Sequence, residues 1–168
     1  MAHDNKNKNR GGRNDNRSNE AKPFDFSIFK EKYKKWIQEE IDDDCINFMD
    51  KFGLFLCDKS DKNASFPGFK AVTTSQMRNI FSEVKRIEVK VIDQEQYDKN
   101  RSYILLLRPK IAYSTARVLA SKRDSRMIEL REVLEKCLLA IENYQQFKRF
   151  SQIFEGIIAY HKVYGGKD

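Results

Sequence analysis

Histidine is nearly missing from this chain: only His3 and His161 occur among its 168 residues. No Ser-His-Asp or Cys-His nucleophile set can be built without His161, which has no evident partner in the sequence. A packing or hydrogen-bonding role near a helix end is therefore expected for it, and a hydrolase built on His161 is the weakest functional reading. Cysteine is scarce too. Cys45, Cys57 and Cys137 are widely spaced within apolar helical stretches, which argues against a CxxC zinc or redox site and a disulfide framework, and for buried reduced thiols. No run approaches the roughly twenty apolar residues of a membrane span, and the polar N-terminal stretch lacks the apolar core of a signal peptide. A cytoplasmic protein with no membrane partner is expected.

Phosphate loops are also wanting, because Gly11-Gly12 and Gly165-Gly166 match neither the dinucleotide fingerprint nor the P-loop. The run Asp42-Asp43-Asp44 suggests a cation site. Neighbouring helical positions point 100° apart, however, and a calcium loop needs oxygen ligands at alternating loop positions. At the start of a helix these carboxylates would instead complement its positive end. No catalytic residue, metal or cofactor is expected.

What the chain does have is a concentration of positive charge. Residues 70–131 carry fourteen Lys and Arg against seven Asp and Glu, a net +7 that equals the net charge of the whole protein. Residues 1–22 contribute +3, residues 23–69 contribute −3, and residues 132–168 are neutral. Basic excess gathered on one part of a mixed-charge chain suits a partner with a phosphate backbone. The first 22 residues hold no Phe, Ile or Leu and cannot bury enough apolar area to offset their ordering entropy. A disordered tail is expected there. Its charge would lend at most a loose attraction to RNA or DNA, and solubility alone accounts for it.

After Pro23 the apolar residues recur at helical spacing, and no stretch alternates long enough for a strand. The sequence predicts an all-α fold, a compact bundle of about five or six helices, with residues 23–168 as one domain. A first helix runs from Ser27, as its cap, through Phe29, Tyr33, Trp36, Ile37 and Glu40. A second follows around Cys45, Phe48, Met49, Phe52 and Leu56, and Asp58 to Gly68 is loop. The third begins at the Thr73-Thr74-Ser75 cap and places Met77, Ile80, Phe81, Val84, Ile87 and Val91 on one apolar stripe. A fourth spans roughly Gln96 to Ala120 and must kink or restart at Pro109, which has no amide hydrogen. Beyond the bend, Ile111, Thr115, Val118 and Leu119 lean towards the core. Asp124 or Ser125 starts a fifth helix through Ile128, Leu130, Val133, Leu134, Cys137, Leu138 and Ile141. The sixth carries Phe147, Phe150, Phe154, Ile157, Ile158 and His161 and stops where Gly165-Gly166 permits a left-handed cap.

Turned at 100° per residue, the third helix gathers Arg78, Ser82 and Lys85 away from its apolar stripe, with Arg86 beside them. The fourth does the same with Lys110, Tyr113, Ser114 and Arg117. These cations would hold phosphates if the two faces lie side by side, while Tyr113 and Tyr160 would stack on bases or pack on sugars. A solvated, ion-paired surface is the competing and simpler reading, since spacing on a helix does not fix which faces meet.

Three strings shift that balance: Thr73-Thr74-Ser75-Gln76-Met77-Arg78-Asn79-Ile80, then Leu106-Leu107-Arg108-Pro109-Lys110-Ile111-Ala112-Tyr113, then Ala159-Tyr160-His161-Lys162-Val163-Tyr164-Gly165-Gly166. In that order they resemble the small subunit of type III-A CRISPR effector complexes, over roughly residues 72–167. Ser114-Thr115-Ala116 departs from the Ala and Gly that relatives often carry. The resemblance implies a small non-enzymatic helical protein whose copies line up as a short inner filament of a multi-subunit Csm complex. It also implies partners: guide RNA and target RNA, contacted through the backbone of their duplex, other Csm subunits, and further copies of the same chain. Carried over by motif, Arg78, Lys85, Arg86, Arg108, Lys110 and Arg117 become candidates for RNA contact, with Tyr113 for stacking and Lys162 for phosphate. Packing is the role preferred for His161 and Tyr164. A helical adaptor that oligomerises through apolar faces without nucleic acid is the alternative.

Overall fold

The computed structural model describes residues 24–57, 70–121 and 125–166. The tail expected over 1–22, the loop expected over 58–68 and Asp124 lie outside the described residues. Among those described there are seven helices and no strand: α1 (Ser27–Gln38), α2 (Asp43–Leu56), α3 (Thr74–Glu88), α4 (Gln94–Leu105), α5 (Leu107–Ser121), α6 (Met127–Leu139) and α7 (Tyr144–Val163). Only Leu106 separates α4 from α5, so these are two limbs of the fourth helix read from the sequence. The all-α expectation holds.

Short polar signals start most of these helices. The Asp42 carboxylate accepts the Cys45 N–H at 3.0 Å, Asp93 accepts that of Gln96 at 2.8 Å, and Asn143 accepts that of Gln146 at 3.1 Å. At α3 the cap is reciprocal: the Thr73 hydroxyl accepts from the Gln76 amide at 3.1 Å, and the Gln76 side chain accepts from the Thr73 amide at 2.8 Å. That satisfies two otherwise orphaned donors at once. Asp43 and Asp44 lie in the first turn of α2, at its positive end. The far end of α7 closes on Gly165, whose φ of 73° is left-handed. The Gly165 amide donates to the Lys162 carbonyl at 2.9 Å and the Gly166 amide to that of His161 at 3.0 Å, the paired bonds of a Schellman stop.

Four expectations need correction. Ser27 does not cap α1; Phe26 holds that position without a side-chain bond, and Asp25 accepts the Ser27 amide at 2.9 Å. Ser125 stands one residue ahead of the capping position of α6, which Arg126 occupies, although the Ser125 hydroxyl still accepts the Met127 amide at 3.3 Å. Ile128 is exposed rather than packed in the core. The break in the fourth helix falls at Leu106, three residues before Pro109. Proline thus sits in the first turn of α5, where its missing N–H breaks no bond, and the carbonyl left without a donor is that of Leu105.

One apolar cluster joins all seven helices. α7 is its spine, with Phe147, Phe150, Ile153, Phe154 and Ile157 buried. α2 offers Phe48, Met49, Phe52, Phe55 and Leu56, and its rings stack along the helix, Phe48 on Phe52 with centroids 5.3 Å apart. A fully buried Phe contributes about 1.5–3 kcal/mol. The α3 stripe is buried at Met77, Ile80, Val84 and Ile87 as the pattern requires, with Val91 buried just beyond the helix. Thr115 is buried too, and its hydroxyl donates to the Ile111 carbonyl at 2.9 Å. All three cysteines are buried and unbridged. Burial pushes the Cys45 thiol up to about 12 and raises that of Cys137 as well.

α2 approaches α7 so closely at Gly53 that a Cβ there would lie 2.7 Å from the His161 backbone nitrogen and 2.8 Å from the Tyr160 Cβ. Gly53→Ala is expected to lower stability by about 1–3 kcal/mol, read from urea denaturation, because the clash is with backbone. The native protein at about pH 8 is expected to leave Cys45 and Cys137 unmodified by a thiol reagent until denaturant is added, since a protonated buried thiol is a poor nucleophile.

Candidate nucleic-acid interface

α3 lies between α5 and α7 and runs antiparallel to both. On the α7 side, the Phe81 and Phe154 rings meet edge to face at 5.3 Å, and Lys85 reaches Glu155 at 3.2 Å. On the α5 side, Lys110 pairs with Glu83. The candidate cations of α3 therefore divide between two flanks. Lys85 leans towards α7, bound also to Glu88 at 2.8 Å and set 5.0 Å from the Phe81 centroid. The hydrogen bond to Glu88, then that to Glu155, holds its pKa above the ordinary lysine value. Arg86 leans the other way and meets Glu83 at 3.2 Å.

Along the α3–α5 seam, Glu83, Arg86, Ile87 and Lys90 face Tyr103, Leu106 and Lys110 across a groove of about 130 Å³. Three cations and one carboxylate line it, and two of the cations, Lys110 and Arg86, pair with that carboxylate. The Lys110 hydrogen bond holds Glu83 below the usual carboxylate range, against the opposing effect of burial, and the charges of Lys110 and Arg86 act in the same direction. Lys90 sits 4.9 Å from the Tyr103 ring centroid, within cation–π range. No acidic residue occupies the first turn of α5. Arg108 and Lys110 stand there instead, at the helix end whose dipole disfavours cations; local helix stability does not account for them.

Farther along the seam a second hollow of about 250 Å³ is lined by Gln76, Asn79, Ser114, Arg117, Val118, Ser121 and Met127. The Arg117 guanidinium lies 5.9 Å from the ring centroid of Tyr113, one turn earlier on α5. The seam thus brings together Arg86, Lys110 and Arg117, while Tyr113 is exposed beside Arg117 and lines neither hollow. The seam does not bring in Lys85, which faces α7, or Lys162, exposed in the last turn of α7. Arg78 and Arg108 are exposed on α3 and α5. Tyr160 is partly buried and packs against the core. Sequence reasoning missed Lys90 and Tyr103. Lys90 was legible as the position four beyond Arg86; Tyr103 gave no signal, because little of α4 is buried.

His161 is wholly buried where α7 meets the start of α3. Its Nε2 lies 2.9 Å from the Val72 carbonyl and its Nδ1 3.5 Å from the Thr74 hydroxyl, which donates in turn to the Gly166 carbonyl at 3.3 Å. The Tyr164 hydroxyl donates to Asp50 at 2.5 Å. These are packing roles. The Asp42 carboxylate, besides capping α2, pairs with Lys35 at 3.3 Å, and Asp44 pairs with Lys32. Among the described residues no group of three or more His, Cys, Asp or Glu is placed to hold a metal ion, and no helix is long and apolar enough to cross a membrane.

Residues 54–167 match the family described as Csm2 Type III-A. A Streptococcus thermophilus protein described as "CRISPR system Cms protein Csm2" is 30% identical over 124 residues, covering 73% of this chain and 94% of that protein. No solved structure matches significantly. The chain belongs to the type III-A Csm2 family, the small subunits of Csm complexes. The family match begins at Leu54, at the end of α2, well ahead of the first motif legible in the sequence at Thr73.

Proposed function

We propose that this chain is a non-catalytic, RNA-associated structural subunit of a cytoplasmic type III-A CRISPR interference complex. In this reading its copies form an inner filament along the duplex of guide RNA and target RNA and hold the duplex by its backbone. The observation that carries the reading is the α3–α5 groove, lined by three cations, Arg86, Lys90 and Lys110, and by a single carboxylate, Glu83. Contacts of that kind are electrostatic and blind to sequence. The complete burial of the His161 ring, with Nε2 at 2.9 Å from the Val72 carbonyl, supports a non-catalytic role. Contact with other subunits or further copies is supported by the apolar elbow beside the groove, where Tyr103, Leu105 and Leu106 are exposed.

The adaptor reading has its own support: Val89 is 80% and Ile92 64% exposed, and both line a shallow hollow with Tyr144. Association through that surface would survive nuclease and high salt, with no RNA in the purified assembly.

Arg86→Glu combined with Lys90→Glu is expected to weaken RNA binding at least about tenfold and to flatten its log–log salt dependence by roughly 0.7–0.9 for each phosphate no longer neutralised. Circular dichroism should not change. Equal affinity and slope in the variant would remove the groove from the interface. Glu83→Gln is expected to act in the opposite sense: it releases Lys110 and Arg86, strengthening RNA binding about threefold in a salt-dependent manner, measured by titration of labelled RNA.

A further inference from the structure

We infer that the hollow at the far end of the α3–α5 seam receives one unpaired nucleobase of the bound RNA; this rests on the backbone-binding reading of the same seam. Val118 and the buried Met127 close the hollow off from the core, and the guanidinium of Arg117, which also lines it, offers a plane on which a base can lie. Its walls carry both kinds of hydrogen-bonding group. The Gln76 carbonyl is committed to the Thr73 amide, so that side chain presents its NH₂ as a donor. The Ser121 hydroxyl hydrogen is committed to the Val118 carbonyl at 2.9 Å, so its oxygen is left to accept. Asn79 and Ser114 supply either role. Arg117 stands at the rim, one turn from Tyr113.

Size and charge narrow the ligand. At about 250 Å³ the hollow is smaller than the roughly 300–1,000 Å³ of sites for drug-sized molecules, as suits one base with its sugar and phosphate left outside. Apart from Arg117 the polar lining is uncharged amide and hydroxyl, which suits a neutral base better than a phosphate, and a cationic partner would meet Arg117. Continuity completes the argument. Asn79 precedes Arg86 by two turns of one helix, about 10 Å, so a strand whose backbone lies on Arg86, Lys90 and Lys110 passes the mouth of the hollow. Recognition of unpaired RNA bases by a guanidinium plane and hydrogen bonds to the base edge is of this kind.

The test is fluorescence anisotropy of the full chain with an RNA duplex bearing one bulged nucleotide and with the same duplex made abasic at that nucleotide. The two RNAs carry the same charge, so backbone contacts do not distinguish them. The bulged RNA is expected to bind about tenfold more tightly, within the range for one stacked base. The difference should close in Asn79→Ala and in Ser114→Val while both RNAs keep their salt dependence. Equal, salt-sensitive binding of the two RNAs would overturn the base pocket and leave the backbone reading standing. No binding of either would overturn both. If the two substitutions abolish capture of a second protein chain without changing either RNA affinity, the hollow is a protein contact and the inference fails.

Discussion

The contact between the end of α7 and the start of α3 is the constraint from which the rest of the structure follows. The His161 Nε2 lies 2.9 Å from the carbonyl of Val72, the residue just before the α3 cap, and the Thr74 hydroxyl donates to Gly166 just after the α7 stop. A helix start and a helix end, each with unsatisfied backbone groups of its own, are thereby fastened to each other. Gly53 brings α2 against the same point, since only a residue without a Cβ fits beside the His161 backbone. Three helices converge on His161, α3 at its ring and α2 at its backbone, and the direction of α3 is set there. Unpaired buried polar groups are costly, so alternative packings of this corner are disfavoured, and α3 presents the same flank to α5 along its whole length.

That flank is electrostatically uneven. Elsewhere among the described residues several cations have local acids within reach: Lys99 has Glu95 at 2.6 Å, Arg131 has Glu135 at 2.9 Å, and Lys85 has two carboxylates. In the groove, by contrast, one carboxylate serves several cations. Glu83 is held ionised by Lys110, so it positions two of the cations without cancelling the excess. Exposed pairs of this sort add little to stability, typically below about 1 kcal/mol. Cations at the first turn of α5 work against its dipole. A surface arranged in this way is poorly explained by folding and well suited to attracting a polyanion.

Much of this architecture could be read from the sequence where a short-range rule applies. Thr73 with Gln76, Asp42 before an apolar run, and Gly165 after one each encode a helix end within four residues, and the Met77 to Val91 stripe encodes the buried face of α3. The errors arise where tertiary context decides. Ser27 and Ser125 are acceptable caps by type, but neighbouring backbone and side chains fix where the chain enters those helices. Pitch alone groups Arg86 with Lys85 because both lie off the apolar stripe. It does not reveal that α7 covers one flank and α5 the other, which separates them by their acidic partners, Glu155 and Glu83. The packing role expected of His161 was legible from the absence of any catalytic companion; the identity of its partners was not, since Val72 and Thr74 lie far away in sequence.

The interruption at Leu106 has a geometric purpose that Pro109 makes unavoidable. α5 must run back along α3 for Lys110 to meet Glu83, while the start of α4 is fixed near the start of α7, where Gln94 accepts the Tyr144 amide at 3.0 Å. A straight helix from Gln94 to Ser121 could not satisfy both. With no donor on Pro109 the Leu105 carbonyl is released, yet the Leu106 amide still bonds to Ser102 at 3.0 Å, so the chain bends without coming apart. The bend turns Tyr103 and Leu106 across the end of α3. They close the groove on the side that would otherwise open to solvent, and Tyr103 meets Lys90 as part of that wall. A weakly amphipathic helix thus owes its place to its neighbours: α4 buries only Tyr97 and Ile104, and what it provides is the end wall of the basic groove.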